Sequence, residues 1–179
     1  LRPWGVAVTD LAGAPLERDV TTIDWSPEAA EKGGYPHFML KEIHEQPESL
    51  SQSIAGRVDR DDRVHAEELE GIEDAIRAAD RVEIVACGSA YYASLVGAAA
   101  VQGWTGLPAR ATVGSEFRYA PPPIGARTLV IAVTQSGETA DTIAPTRLAR
   151  DRGCTVIAVT NTVGSAITRE ADAVLFLQA

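Results

Sequence analysis

Residues 129–139 read LVIAVTQSGET, an apolar run that gives way at once to hydroxyls and an amide around a glycine. The five leading residues are apolar and rich in β-branched side chains, which predicts a short strand buried on both faces. A buried strand has no need to end in hydroxyl and amide side chains. The segment is therefore either a tight turn with a helix cap or the edge of a ligand site.

Four further apolar runs of similar length occur in the chain, and stretches with helical periodicity separate them. Short buried strands that alternate with helices predict a parallel α/β sheet covered on both faces. The predicted fold is a doubly wound five-stranded parallel sheet of the flavodoxin-like type, with strand order 2-1-3-4-5. The predicted strands are 82–86, 109–113, 129–133, 155–159 and 173–177, and the predicted helices between them are 90–104, 115–119, 140–151 and 164–171.

The start of the chain has a different pattern. Residues 5–25 alternate around a turn-like segment at 11–14, which predicts a β-hairpin. Ser26 followed by Pro27 predicts the N-cap and first turn of a short helix that ends near Gly33.

A linker region is predicted between this hairpin and the sheet. A helical face begins at Phe38, and Pro47 is expected to kink or restart that helix. The polar run at 59–63 is a candidate domain boundary. The segment 66–80 places apolar residues three or four apart, which predicts one amphipathic helix.

Composition narrows the classes of function. The 179-residue chain carries a net charge of −9, which argues against a nucleic-acid binder because such proteins need clusters of lysine and arginine. Small anions are not excluded, since backbone N–H groups can hold them. No apolar stretch approaches the ~20 residues of a membrane span. The first 20 residues carry several charges, so they do not resemble a signal peptide, and the cytoplasm is the expected compartment.

The cysteines and histidines give no sign of a metal or cofactor site. Cys87 and Cys154 each adjoin an apolar run, so we interpret them as buried reduced thiols rather than a disulfide. His37, His44 and His65 lack the spacing to cysteine or acidic partners that a metal site requires. We interpret His37 and His44 as helix-surface or interface residues, and we predict no cofactor.

Two loops are expected to lie side by side. In the order 2-1-3-4-5 the sheet reverses between its first and third strands, and ligands bind beyond the carboxyl ends of the strands at such a point. The first strand is followed by CGSAYY (87–92) and the third by TQSGET (134–139). Both loops combine a glycine, hydroxyls and the start of a helix. Neither contains lysine or arginine, which suits one phosphate group rather than a chain of them.

The residue types in these loops select an anionic ligand. Free N–H groups at a helix N-terminus favour an anion, hydroxyls and an amide donate to phosphate oxygens, and glycines allow close backbone approach. Neither the P-loop pattern nor the dinucleotide fingerprint is present. A phosphorylated small metabolite is therefore the predicted ligand. The predicted binding residues are Gly88, Ser89, Thr134, Gln135, Ser136, Gly137 and Thr139.

A structural interpretation competes with this one. Ser136 or Thr139 could be an ordinary N-cap, with Gly137 relieving a tight turn. The occurrence of two similar loops at the switch point favours phosphate binding. Glu138 is interpreted as a first-turn helix acid rather than a catalytic base. Four other side chains receive structural interpretations: packing for Phe117 and Tyr119, and a solvated helix face for Asp141 and Arg147.

The motifs CGSAYY, SEFRY and TQSGETADT, with YPHFMLKEIHEQP, resemble the glutamine–fructose-6-phosphate aminotransferase family over essentially the whole chain. SQSGET-type loops occur throughout SIS (sugar isomerase) domains, whereas KEIxEQP with SEFRY is far more specific to this family. Two departures are Ala90, where a second hydroxyl is frequent, and Thr134, where serine is common. The resemblance implies a homodimer that binds fructose 6-phosphate or glucosamine 6-phosphate, with phosphate contacts at Ser89, Thr134, Gln135, Ser136 and Thr139.

The resemblance also implies three parts: residues 1–25 as the last hairpin of a glutaminase domain, 26–62 as linker helices, and 63–179 as the first SIS domain. By resemblance, the family's glutaminase nucleophile is an N-terminal cysteine, whereas residue 1 here is leucine, and the family's acid–base residues belong to a second SIS domain. No catalytic residue is therefore expected here, and we expect a fragment that binds the sugar phosphate but is inactive alone.

Two alternatives remain open. One is a non-enzymatic SIS module that senses a phosphosugar, which should carry a DNA-binding helix-turn-helix where this chain has a hairpin and an acidic linker. The other is a flavodoxin-like domain whose loops only cap helices. A bound anion would separate the second alternative from a phosphate site.

Overall fold

The computed structural model describes residues 5–18, 31–61 and 63–177. The chain divides into two compact units, Leu1–Glu45 and Gln46–Ala179. The boundary between these units falls within the predicted linker, and the three-part division of the chain stays a prediction.

The first unit contains the predicted hairpin. Strands β1 (Val8–Thr9) and β2 (Pro15–Leu16) pair antiparallel. The Asp10 carboxylate shapes the turn because its Oδ1 accepts the N–H groups of Ala12 at 2.9 Å and Ala14 at 2.8 Å. The predicted helix at Ser26 lies largely outside the described residues.

Helix α1 (Phe38–Ile54) is continuous through Pro47. The expectation that Pro47 restarts the helix was therefore wrong. A proline within a helix removes one N–H donor, and the hydrogen bonds on either side can keep the helix in one piece.

The predicted single helix over 66–80 was also wrong. The structure has a 3₁₀ turn at Glu67–Leu69 and a separate short helix, α2 (Glu73–Ala78). Gly71 breaks the segment, with a φ of 89° and an N–H that donates to Oε2 of Glu73 at 2.7 Å. The apolar spacing still has its expected effect, because Leu69, Ile72 and Ile76 pack against the core.

The predicted sheet is confirmed. Five parallel strands lie in the order β4-β3-β5-β6-β7, which is the order 2-1-3-4-5 among the strands of this sheet. The order reverses between β3 and β5. The strands are β3 (Arg81–Ala86), β4 (Ala109–Val113), β5 (Thr128–Val133), β6 (Thr155–Thr160) and β7 (Ala173–Phe176).

Both faces of the sheet are covered. Val82 and Ile84 belong to one buried cluster and Val85 to the other, so successive side chains of β3 enter opposite cores. The predicted helices over 90–104, 115–119 and 140–151 are confirmed, whereas 164–171 contains only a 3₁₀ turn. The elements are α3 (Gly88–Thr105), α4 (Gly114–Tyr119), α5 (Ala140–Asp151) and the turn Ala166–Arg169.

The two aromatics of α4 differ. Phe117 is fully buried in one core cluster, which confirms its packing role. Tyr119 is 77% exposed, so the packing interpretation was wrong for it. It is the last residue of a six-residue helix, and the Arg118 guanidinium lies 5.2 Å from its ring centroid instead.

Both cysteines are free thiols, as predicted. Cys154 is buried, and burial raises the pKa of its thiol. Cys87 is only half-buried, at the end of β3. Within the described residues, no helix has the length and apolarity needed to cross a membrane.

Candidate functional site

The register of β3 and β5 brings the two predicted loops together. The strands pair from Arg81 opposite Thr128 to Ala86 opposite Val133, so the chain leaves both strands at the same level of the sheet. The first loop (residues 87–89) and the second loop (residues 134–139) therefore begin next to each other at the switch point.

A pocket of about 220 Å³ lies between the two loops. All five predicted side-chain contacts line it, and the two predicted glycines lie in the same loops beside lining residues. The lining residues are Cys87, Ser89, Ala90, Val133, Thr134, Gln135, Ser136, Thr139 and Thr142.

A larger depression of about 350 Å³ lies at the amino ends of β3 and β4. Arg81 and Arg110 line it, and Arg110 is already paired with the buried Glu83 carboxylate at 3.1 Å. Ligands of doubly wound sheets bind at the carboxyl ends of the strands. The smaller pocket is therefore the better candidate, despite its size.

Two long helices begin at the pocket without side-chain caps. In the described structure, neither Cys87 before α3 nor Thr139 before α5 forms a side-chain hydrogen bond to the first amides of its helix. Those amides keep free N–H groups and the positive end of the helix dipole. The Thr139 hydroxyl instead lies 3.5 Å from that of Thr134, so ordinary capping does not account for this residue.

The second loop is a tight turn whose own hydroxyls stabilise it. The N–H of Gly137 donates to Oγ1 of Thr134 at 3.3 Å, and the N–H of Glu138 donates to Oγ of Ser136, also at 3.3 Å. Gly137 has a φ of 68° and packs so closely on Ser165 that a Cβ would overlap that side chain. Glycine is therefore required here for conformation and for space.

Residues 160–167, the anchoring segment, hold the second loop from the side of β6. The Gln135 carbonyl accepts the N–H of Asn161 at 3.1 Å and the hydroxyl of Thr160 at 3.2 Å. The Gly137 carbonyl accepts the N–H of Ile167 at 3.0 Å. Hydrogen bonds within the chain therefore hold the backbone that carries the predicted phosphate-binding residues.

Glu138 is not the first-turn helix acid that the sequence suggested. It precedes α5, and its Oε1 accepts the N–H of Ala166 in the anchoring segment at 2.7 Å. Local sequence could not reveal this bond because its partner is 28 residues away.

Sequence reasoning missed Thr142. This residue is 1% exposed, lines the pocket, and places its hydroxyl 3.9 Å from the Cys87 sulfur, so it links the starts of α5 and α3. The spacing of Thr139 and Thr142, three apart on one helix face, could have indicated it. Cys87 itself, interpreted only as a buried thiol, also lines the pocket.

The pocket is lined by described residues without charged side chains. Among the described residues that line it, none carries a carboxylate, an imidazole, an amine or a guanidinium. Attraction for a phosphate must therefore come from backbone N–H groups, hydroxyls, the Gln135 amide and the dipoles of α3 and α5.

The remaining candidates lie elsewhere. The His44 ring stacks on Tyr35 at 5.4 Å between centroids, and Nε2 of His65 lies 2.7 Å from Oδ2 of Asp59. The ranges 5–18, 31–61 and 63–177 contain no cluster of three or more histidine, cysteine or acidic side chains that could hold a metal. His37 is exposed.

Asp141 and Arg147 on α5 each form an ion pair with a residue outside the helix. Asp141 lies 4.0 Å from Arg118, and the solvated-face interpretation holds because each side chain is about half exposed. Arg147 is 60% exposed but donates to Glu170 at 2.6 Å, and this bond lowers the pKa of the Glu170 carboxyl.

Comparison with known proteins finds one protein family model and relatives that share one name. A family model described as "SIS domain" matches residues 75–179. The chain is 48% identical over 177 residues to glutamine–fructose-6-phosphate aminotransferase [isomerizing] of Symbiobacterium thermophilum, a match that covers 98% of this chain and 29% of that protein. It is 44% identical over 180 residues to the protein of the same name from Methanosarcina acetivorans, covering 100% and 29%.

Among solved structures, the C-terminal domain of glucosamine-fructose-6-phosphate aminotransferase from Francisella tularensis matches with a TM-score of 0.74 and 29% identity. This match covers 83% of this chain and 41% of that one. The chain thus spans about 29% of the length of the curated relatives named above.

Proposed function

Because this chain belongs to the SIS domain family, we propose that it binds the phosphate group of fructose 6-phosphate or glucosamine 6-phosphate. We propose further that it does so as part of the isomerase half of a glutamine–fructose-6-phosphate aminotransferase, an enzyme of amino-sugar biosynthesis. The observation that carries the proposal is the pocket that gathers both loops at the switch point. The alignment of 98–100% of this chain with 29% of each relative of that name supports the choice of enzyme.

Each proposed contact has a chemical role. The hydroxyls of Ser89, Thr134, Ser136 and Thr139 and the amide of Gln135 donate to phosphate oxygens. Gly88 and Gly137, with φ values of 58° and 68°, let backbone N–H groups approach the anion. Since α3 and α5 both begin at the pocket, the positive ends of two helix dipoles add to the attraction.

The chemistry of the lining suits binding rather than turnover. Isomerisation of a sugar phosphate needs a group that moves a proton, and the described pocket contributes only hydroxyls, an amide and a thiol. We propose that the chain alone does not convert fructose 6-phosphate and glutamine, and that no catalytic residue lies within it.

A thermal shift and calorimetric titration test the binding proposal. Fructose 6-phosphate and glucosamine 6-phosphate at millimolar concentration should raise the melting temperature, whereas fructose should not. Ser136→Ala with Thr139→Ala should abolish the effect. Ser51→Ala, which removes an exposed hydroxyl of α1, is the control and should behave as wild type. A folded chain with no shift, or with an equal shift by fructose, overturns the proposal.

We also propose that the chain forms a homodimer. Residues 88–105 contain no charged side chain, and α3 exposes Tyr92, Val96 and Trp104. An apolar helix face is unusual on a chain with a net charge of −9 and suits association with another copy. Sedimentation velocity should show a dimer that Val96→Glu dissociates. A monomer at high micromolar concentration overturns this part.

The remaining parts of the proposal concern organisation and compartment. We propose the division into residues 1–25, 26–62 and 63–179, which the hairpin at 8–16 and the SIS match from residue 75 support. We propose a cytoplasmic location, which the free thiols of Cys87 and Cys154 support.

A further inference from the structure

Glu138 places a negative charge inside the loop that the proposed function assigns to a phosphate. A carboxylate beside a bound phosphate weakens binding by repulsion unless it is paired elsewhere. In the structure its Oε1 accepts the N–H of Ala166 at 2.7 Å, so the side chain is committed to the anchoring segment. Since the Glu138 carboxylate would repel a bound phosphate, its presence in this loop needs a structural explanation.

The partner of Glu138 explains why an acid is useful here. Ala166 is the first residue of the 3₁₀ turn Ala166–Arg169, and in the described structure Ser165 before it provides no side-chain cap. The first N–H groups of such a turn lack internal acceptors and attract negative charge. Glu138 supplies the missing acceptor from another segment of the chain.

This bond belongs to a row of contacts along one side of the second loop. The carbonyl of Gln135 accepts the N–H of Asn161, and the carbonyl of Gly137 accepts the N–H of Ile167. With Glu138, three positions within four residues are therefore tied to the anchoring segment. The bonds occupy carbonyl groups and the carboxylate, and within the described residues no acceptor is present for the N–H groups of Gln135 and Ser136.

We propose that Glu138 is a positioning residue for the phosphate site. By holding the anchoring segment against the second loop, it keeps the Gln135 and Ser136 donors oriented before the ligand binds. A preorganised site loses less conformational freedom on binding, which raises affinity. The inference rests on the proposed function, because it assumes that the second loop binds the phosphosugar.

Two substitutions at one position separate positioning from charge. Glu138→Gln keeps an oxygen acceptor for the Ala166 N–H and removes the charge, whereas Glu138→Ala removes both. Calorimetry with fructose 6-phosphate should show about tenfold weaker binding for Glu138→Ala, the loss that a hydrogen bond to a charged group produces. Glu138→Gln should stay within about threefold of wild type. Glu70→Ala, which removes an exposed acid outside the site, is the charge control and should bind as wild type.

The outcomes are distinct. Wild-type affinity in Glu138→Ala overturns the inference because the bond to Ala166 would then contribute nothing to binding. Tighter binding in both variants overturns it because only the negative charge would then matter. Equal weakening in both variants overturns it as well, since the retained acceptor would have no effect.

A ligand-free measurement distinguishes failure of the inference from failure of the proposed function. Amide hydrogen exchange at Ala166 and Ile167 should be at least about tenfold faster in Glu138→Ala than in wild type, and near wild type in Glu138→Gln. Unchanged exchange in Glu138→Ala overturns the inference whatever the ligand does. A wild-type chain that binds no phosphosugar, with the expected exchange rates, overturns the proposed function alone.

Discussion

The two loops at the switch point contain the same kinds of residue but differ in how the fold supports them. The second loop is bonded through Gln135, Gly137 and Glu138 to the anchoring segment. In the first loop, a Cβ built on Gly88 would meet nothing within 4 Å in the described structure. The Cys87 sulfur lies at the long distance of 3.9 Å from both the Asp141 carbonyl and the Thr142 hydroxyl.

If the pocket binds a phosphate as proposed, we expect this difference to give its two halves different roles. The second loop is fixed in advance, and Thr134 in it is buried, so it can define where the phosphate lies. Ser89 in the first loop is exposed at the start of α3, and we expect its side chain to adjust to the ligand once the phosphate is in place. We therefore expect matched changes in the two loops to have unequal effects, larger in the second.

The largest difference is expected between the two loop glycines, which both have positive φ. Gly137→Ala combines that strain with overlap on Ser165 and should lower the free energy of unfolding by about 2 to 5 kcal/mol. Gly88→Ala meets only the strain and should cost about 1 to 2 kcal/mol. Urea unfolding measures both. Equal losses would show that the anchoring contact at Ser165 contributes nothing.

The next effect concerns ligand affinity. Ser136→Ala and Ser89→Ala each remove one proposed phosphate donor, one from each loop. Removal from the fixed loop should weaken fructose 6-phosphate binding by about 1.5 kcal/mol, and removal from the adjustable loop by about 0.5 kcal/mol, since another donor can replace it there. Calorimetric titration gives both values. A greater loss of affinity in Ser89→Ala would mean that the first loop contributes more to phosphate binding than the second.

A smaller effect is expected where the first loop contacts the start of α5. Thr142→Val removes the hydroxyl that faces the Cys87 sulfur and nearly keeps the side-chain volume. The unfolding free energy should change by less than about 1 kcal/mol, because the lost contact is long and weak. The Thr142 hydroxyl donates to the Cys87 sulfur, and such a donor favours the thiolate that reacts, so Cys87 should react more slowly with a thiol reagent in this variant. The buried Cys154 serves as an internal control. An unchanged Cys87 rate would show that the Thr142 hydroxyl has no influence on the first loop.

The sequence predicted the frame of the molecule better than the details of the site. The strand bounds follow from apolar runs, and the predicted 82–86 became Arg81–Ala86. The strand order was predicted because five strands alternating with helices fit the flavodoxin-like doubly wound sheet. Because parallel strands end at one edge, the meeting of the two loops could be predicted without any knowledge of side-chain positions.

What could not be predicted depends on contacts distant in the chain. Glu138 looks like a helix acid until its partner Ala166 is known, and Tyr119 looks like a packing residue until α4 is seen to end there. Gly71 is compatible with a helical pattern, and only its φ of 89° shows that the helix stops. Local periodicity contains no information on these three points.

The smallest expected effect is the pH dependence of an ion pair that lies close to the second loop. Glu170 lies just beyond the anchoring segment and accepts a hydrogen bond from Arg147 of α5, which lowers the pKa of its carboxyl in the folded chain. A lowered folded-state pKa means that the pair stabilises the fold above the unfolded value of about 4.3, and that this contribution is lost as pH falls through the folded value. The effect should be small because Arg147 is largely exposed.

Glu170→Gln isolates this contribution from that of other carboxylates. The variant should melt slightly below wild type at pH 7, and the difference should disappear as the pH falls below about 4. Hydrogen exchange at Ile167 should then rise in wild type toward the rate of the variant, while exchange in α3 beside the first loop should show no difference between the two proteins. A melting difference that persists at low pH, or an equal response in α3, would mean that the Glu170–Arg147 pair does not act on the second loop in particular.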